Sequence, residues 1–270
     1  MAATFVMAQL ESSGDPSANL QKAEAVVAES AKRYRPDFMV FPEMFMSFFP
    51  SGTERVESLA TAQSLDGPFV AGMRALAKQY GIWMVFGMNE VTGDLNDNRN
   101  YNTTVMLDSR GSIVGIYRKT HLYDAFGYKE SDDKKPGDAF FEPIETPFGK
   151  IGLFVCYEVR FPEVARYQTA KGADIIIMPT AWMRGDLKSH HFKTLVTARA
   201  IENTVFMLAC GQVGKSCIGE SIAVDPMGVA FACAGECEQL LPCDIDLERI
   251  HAVRQKLPAY KDRRPELYHY

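Results

Sequence analysis

Two segments far apart in the chain share one form, an acid followed by four apolar residues and a proline: Asp37-Phe-Met-Val-Phe-Pro42 and Asp174-Ile-Ile-Ile-Met-Pro179. A continuous apolar run closed by proline reads as a short strand buried on both faces, because proline cannot donate to a sheet ladder. Each segment follows a helical stripe: Asn19 to Tyr34, with Leu20, Ala23, Val26, Val27 and Ala31 on one side, and Phe161 to Lys171. A helix and then a strand come next, Pro68 to Tyr80 with Ile82 to Met88 in one half and His190 to Glu202 with Val205 to Ala209 in the other. Leu107-Asp-Ser-Arg-Gly111 and Val224-Asp-Pro-Met-Gly228 then supply matching turn chemistry for two hairpins. With opening strands at Thr4 to Gln9 and Ile151 to Val155, each half reads β-α-β-α-β-β. Helices on one face of each sheet leave two apolar faces to bury each other. The pattern predicts an α/β fold, a four-layer α-β-β-α sandwich with an internal pseudo-two-fold repeat.

No Gly/Ser-rich or Pro-rich linker separates the halves, and 270 residues with 47% hydrophobic content suffice for one large core, so residues 1–270 are expected to form a single domain. A net charge of -5 without any block of like charges argues against nucleic acid as a partner; the cluster Arg118, Lys119 and His121 is too short to neutralise a phosphate backbone. No apolar run approaches the roughly 20 residues of a membrane span. The amino terminus lacks a charged region before its apolar stretch, so no membrane association and a cytoplasmic location are expected. Of six cysteines, five crowd into the last quarter of a chain too long to need staples, which favours reduced thiols. Cys233, Cys237 and Cys243 lack the paired spacing and the histidine of a zinc site, and no metal or other cofactor is expected.

Three strand ends carry chemistry. The apolar run Lys150-Ile-Gly-Leu-Phe-Val-Cys156 stops on a thiol, the Asp37 strand stops on Glu43, and Ile113-Val-Gly-Ile-Tyr-Arg118 leads out to Lys119. A thiol with pKa about 8.5 is mostly protonated at neutral pH and needs a base before it attacks a carbonyl. Glu43 supplies the base, and the Lys119 ammonium supplies charge for the oxyanion that forms, assisted by backbone N–H groups after Cys156. Such a set performs acyl transfer through a thioester. The positions matching Glu43 and Lys119 in the second half are Thr180 and Glu236, so only one such site forms per chain.

Phe-Pro-Glu43, Tyr-Arg-Lys119-Thr-His-Leu and Cys156-Tyr-Glu-Val-Arg160-Phe-Pro-Glu163, in that order, resemble the nitrilase superfamily of carbon-nitrogen hydrolases. Pro136-Gly-Asp138, Pro179-Thr-Ala-Trp182 and Ala198-Arg-Ala-Ile-Glu-Asn203 extend the resemblance over nearly the whole chain. It implies the same sandwich, a Glu-Lys-Cys triad, no metal, and a homodimer or higher homo-oligomer built through outer helices. It also implies a second glutamate that positions the lysine or the substrate; Glu130, in Tyr128-Lys-Glu130-Ser-Asp, matches it.

True nitrilases usually carry Cys-Trp-Glu, whereas Cys156-Tyr-Glu is similar to the amidase branch, in particular the omega-amidases and deaminated-glutathione amidases. That resemblance implies hydrolysis of a small-molecule amide to ammonia and a carboxylic acid. The short interval before Glu130 leaves N-carbamoyl amines or amino acids as an alternative substrate, and nitrile hydrolysis or a non-catalytic partner-binding scaffold stand further off. Tyr157, Arg160 and Trp182 are the substrate-positioning candidates. Arg160 either grips a substrate carboxylate in a bidentate fork or pairs with Glu158 or Glu163. Trp182 and Met183 form pocket wall or core, and His190 and His191, beside a helix start, read as a solvated pair.

Overall fold

The acid of each repeated segment fastens its strand to both neighbours. Asp37 Oδ2 accepts the Thr4 N–H at 2.9 Å, Asp37 N–H donates to Thr4 O at 2.9 Å, and Asp37 O accepts the Trp83 N–H at 3.0 Å. Asp174 repeats all three contacts, with Lys150 N–H at 3.2 Å, Lys150 O at 2.8 Å and Phe206 N–H at 3.0 Å. The shared acid is therefore a strand-entry clamp, which explains its place before each apolar run.

The computed structural model describes residues 2–49, 54–94 and 96–268. The first half runs β1 (Ala3–Gln9), α1 (Pro16–Arg33), β2 (Phe38–Val40), α2 (Glu54–Thr61), α3 (Pro68–Tyr80), β3 (Trp83–Val91), β4 (Asn100–Leu107) and β5 (Ile113–Arg118). A small hairpin follows, β6 (Asp124–Ala125) and β7 (Tyr128–Lys129). The second half runs β8 (Ile144–Thr146), β9 (Gly149–Leu153), α4 (Pro162–Ala170), β10 (Ile175–Thr180), α5 (Lys188–Asn203), β11 (Phe206–Gly211), β12 (Ile222–Val224), β13 (Ala230–Cys233), β14 (Gln239–Ile245) and α6 (Leu247–Lys256).

Two six-stranded sheets result, ordered β14-β1-β2-β3-β4-β5 and β13-β12-β11-β10-β9-β8. The hairpins superpose in register: pairs Val105–Ile116, Met106–Gly115 and Leu107–Ile113 map onto Ile222–Cys233, Ala223–Ala232 and Val224–Ala230 at one constant offset, with a bulge at the same point in each. Asp108 and Asp225 each accept two backbone N–H bonds within their turns, and Gly111 and Gly228 take φ of 76° and 81°, which only glycine adopts without strain.

Alternate residues of the first sheet divide between two cores, as the pleat requires. Phe5, Met7, Phe38 and Val40 pack with the second sheet, while Val6, Ala8 and Met39 pack with Ala23 and Val27 of α1 and Met73 of α3. The four layers are thus those the repeat predicts. Between the sheets the Cys210 thiol of β11 donates to Val40 O at 3.2 Å.

Three differences have local causes. β10 continues through Pro179 to Thr180; β9 pairs with it only as far as Ile177, so the missing proline N–H falls where no neighbour needs it. β9 ends at Leu153 rather than Val155, because the Val155 N–H turns aside to the Glu158 carboxylate at 2.8 Å. Finally, each sheet has two strands more than the four of the six-element pattern: a separate strand, β3 or β11, precedes each two-stranded hairpin and brings the repeat to five, and the sixth strand is exchanged. β8 follows the first half but pairs with β9, and β14 follows the second half but pairs with β1. Among the described residues no helix is long and apolar enough to cross a membrane, and the six cysteines are free.

Candidate active site

Glu43 leaves the end of β2 and is almost wholly buried. Its Oε1 accepts from Lys119 Nζ at 2.9 Å and Asn102 Nδ2 at 2.8 Å, and its Oε2 accepts from the Ala181 N–H at 2.6 Å. The turn that aims it is tight: Met44 has φ of 51°, and Gly87 on β3 passes beneath. A Cβ on Gly87 would lie 2.2 Å from the Met44 nitrogen, a backbone atom with nowhere to go. Gly87→Ala is therefore expected to displace Glu43 and cost about 1–3 kcal/mol of stability. Urea unfolding checks this, and an unchanged midpoint would refute the close approach.

Lys119, the first residue after β5, is 2% exposed and also donates to Glu130 Oε2 at 2.9 Å. Burial alone would push its pKa down, but the Glu130 and Glu43 carboxylates overcome that and hold it well above the usual lysine value. An ammonium has three protons, and these two bonds use two of them. Glu130 begins a single 3-10 turn after the β6–β7 hairpin and accepts in addition from Asn102 Nδ2 at 3.0 Å and the Tyr123 N–H at 2.7 Å. Burial would raise its pKa, yet Lys119 and these donors keep it below the usual range.

Cys156 opens a 3-10 turn, Cys156–Arg160, with φ of 47°, a left-handed conformation that costs a non-glycine residue about 1–2 kcal/mol. Glu158 over-determines that turn. Its Oε2 holds the Val155 N–H, and its Oε1 accepts from Tyr117 Oη at 2.6 Å and Thr120 Oγ1 at 2.7 Å. The buried carboxylate thereby ties the cysteine turn to the strand end that carries Lys119. Burial and then the Glu43 charge push the Cys156 thiol well above its usual value, against an opposing pull from Lys119.

Above these groups lies a cavity of about 50 Å³ into which Glu43, Lys119, Glu130 and Cys156 all open. Tyr157, Arg160 and Trp182 line it as well. Arg160 does not form the ion pair with Glu158 or Glu163 allowed by the sequence. Its Nε and Nη2 are buried without a hydrogen-bond partner among the described residues, and its guanidinium lies 5.0 Å from the Trp182 ring centre. Glu158 is committed elsewhere, and Glu163 points outward in the first turn of α4.

The carbon-nitrogen hydrolase family model matches residues 4–255. The chain belongs to this family. A deaminated glutathione amidase of Escherichia coli O157:H7 is 38% identical over 207 residues, covering 77% of this chain and 78% of the relative. Its human counterpart of the same name is 34% identical over 273 residues, covering 96% and 82%. The crystal structure of Saccharomyces cerevisiae Nit3, a member of branch 10 of the nitrilase superfamily, matches with TM-score 0.85 at 30% identity, covering 97% of each chain.

In this carbon-nitrogen hydrolase the structure brings Glu43, Lys119, Cys156, Glu130, Tyr157, Arg160 and Trp182 to one cavity. Thr180, the counterpart of Glu43, is buried at the end of β10, whereas Glu236, the counterpart of Lys119, lies outside and pairs with Arg184. His190 is exposed on α5, but His191 beside it is half-buried, with a buried Nδ1 that has no hydrogen-bond partner among the described residues, so the two are not the solvated pair expected from the sequence. Sequence reasoning missed three contributors. Asn102 bridges both carboxylates, Glu158 braces the cysteine turn, and Lys188 opens into the cavity beside Arg160.

Proposed function

We propose that this carbon-nitrogen hydrolase cleaves a small linear amide whose acyl part carries a carboxylate, through a thioester on Cys156. Glu43 takes the Sγ proton as sulfur adds to the carbonyl carbon, and the uncommitted N–H of Lys119 holds the oxyanion. Collapse breaks the C–N bond, and the proton on Glu43 passes to the departing nitrogen, releasing ammonia. Water then gives a proton to Glu43 while its oxygen adds to the thioester. Collapse breaks the C–S bond, the carboxylic acid leaves, and sulfur recovers the proton from Glu43.

The observation carrying this reading is the Glu43 carboxylate, which shares Lys119 on one oxygen and opens into the same cavity as the Cys156 sulfur. A base adjoining a thiol is what a thioester mechanism needs. The relatives named deaminated glutathione amidase support an amide, and the cavity's size limits the reacting end to a small group. The unpartnered guanidinium of Arg160 supports a carboxylate on the substrate.

An ammonia-release screen over neutral amides, dicarboxylic monoamides, N-carbamoyl amino acids and nitriles tests it. The expected order places dicarboxylic monoamides first in kcat/KM. N-carbamoyl amino acids at the top would replace the amide reading with the carbamoyl one, and nitriles at the top would overturn both.

A further inference from the structure

Lys188, the first residue of α5, is 6% exposed. Its ammonium donates to Tyr123 Oη at 2.9 Å and lies 3.7 Å from the centre of the Phe126 ring and 6.0 Å from that of Trp182. Among the described residues no carboxylate pairs with it. Arg160, 5.0 Å from the same indole, is half-buried, and its Nε and Nη2 are buried without a partner among the described residues. A buried cation without a counter-ion is costly, and a contact with an aromatic face returns only part of that cost. The unsatisfied buried donors of Arg160 add to that cost. Two such cations at one cavity, repelling each other, make a site built for an anion that arrives with the substrate.

We propose that Lys188 and Arg160 form a two-sided clamp for the substrate carboxylate, with Lys188 deciding between anionic and neutral amides. The clamp rests on the amidase reading for its substrate but not for its ligand chemistry. Burial first and the Arg160 charge second lower the Lys188 pKa, and an anion held between the two cations relieves the second of these. The lysine also stands at a helix start, where the helix dipole disfavours a cation and favours the anion between.

The test compares a five-carbon dicarboxylic monoamide with valeramide, the neutral amide of equal length. Lys188→Met keeps the apolar stem against Phe126 and removes the charge. It is expected to lower the ratio of kcat/KM for the anionic over the neutral amide at least tenfold, through KM, with Lys188→Arg restoring most of the ratio. A merely structural lysine would weaken both substrates alike, and an unchanged ratio would overturn the proposal. Calorimetry of glutarate binding to Cys156→Ala, with and without Lys188→Met, separates the two readings. Binding that depends on Lys188 in an enzyme that hydrolyses no amide would retain the clamp and sink the amidase reading; binding indifferent to Lys188 would sink the clamp.

Discussion

Cys156→Ala is expected to lower ammonia release by at least about ten-thousand-fold, the scale on which loss of a nucleophile acts. Only the sulfur is removed. Alanine occupies the left-handed position at about the same cost as cysteine, and the turn remains braced by Glu158 from Val155 to Tyr117 and Thr120. Thermal unfolding should therefore stay within a few degrees of the parent. Cys156→Ser should be nearly as inactive, because a hydroxyl is far less acidic than a thiol and Glu43 cannot strip it. Residual turnover above about one per cent in the alanine variant would place the nucleophile elsewhere.

Glu43→Gln carries the second large effect, a fall of about 10²–10⁴ in kcat/KM, the range for a lost acid-base group. Its sign on the thiol is opposite. The Glu43 charge helps to hold the Cys156 pKa up, while Lys119 pulls it down. An amide in place of the carboxylate removes the first influence and leaves the second, so the pH profile of iodoacetamide labelling at Cys156 should move to lower pH. Activity would thus fall while the thiolate becomes easier to form. An unmoved labelling profile, read by mass spectrometry, would mean that Glu43 does not face the sulfur.

The repeat was legible because its signals are backbone requirements: an acid that accepts an N–H at strand entry, a proline where a ladder stops, and a glycine at positive φ. The exchanged strands were not. β8 spans only three residues, too few to show a period, and β14 contains Pro242, which is tolerated there because β14 is an outermost strand. Glu43, Lys119 and Cys156 stood out as polar residues ending apolar runs. Asn102 gave no such sign, since it lies inside β4 and reaches both carboxylates only through sheet register. Glu130, set among charged neighbours in sequence, is buried because Lys119 and the Tyr123 N–H offset its desolvation. Lys188 did leave a clue, a cation where a helix dipole disfavours one.

The exchange of β8 and β14 bears on how the chain is made. The edge of β1 that receives β14 carries the buried residues Phe5, Val6 and Met7, and its partner lies at residues 239–245. At about 5–20 residues per second, a ribosome leaves that edge open for roughly ten to fifty seconds after β1 emerges. An unpaired apolar edge is a template for aggregation. This protein completes its first sheet nearly last, and the nascent chain depends on chaperones or on rapid burial of the other β1 face during that interval.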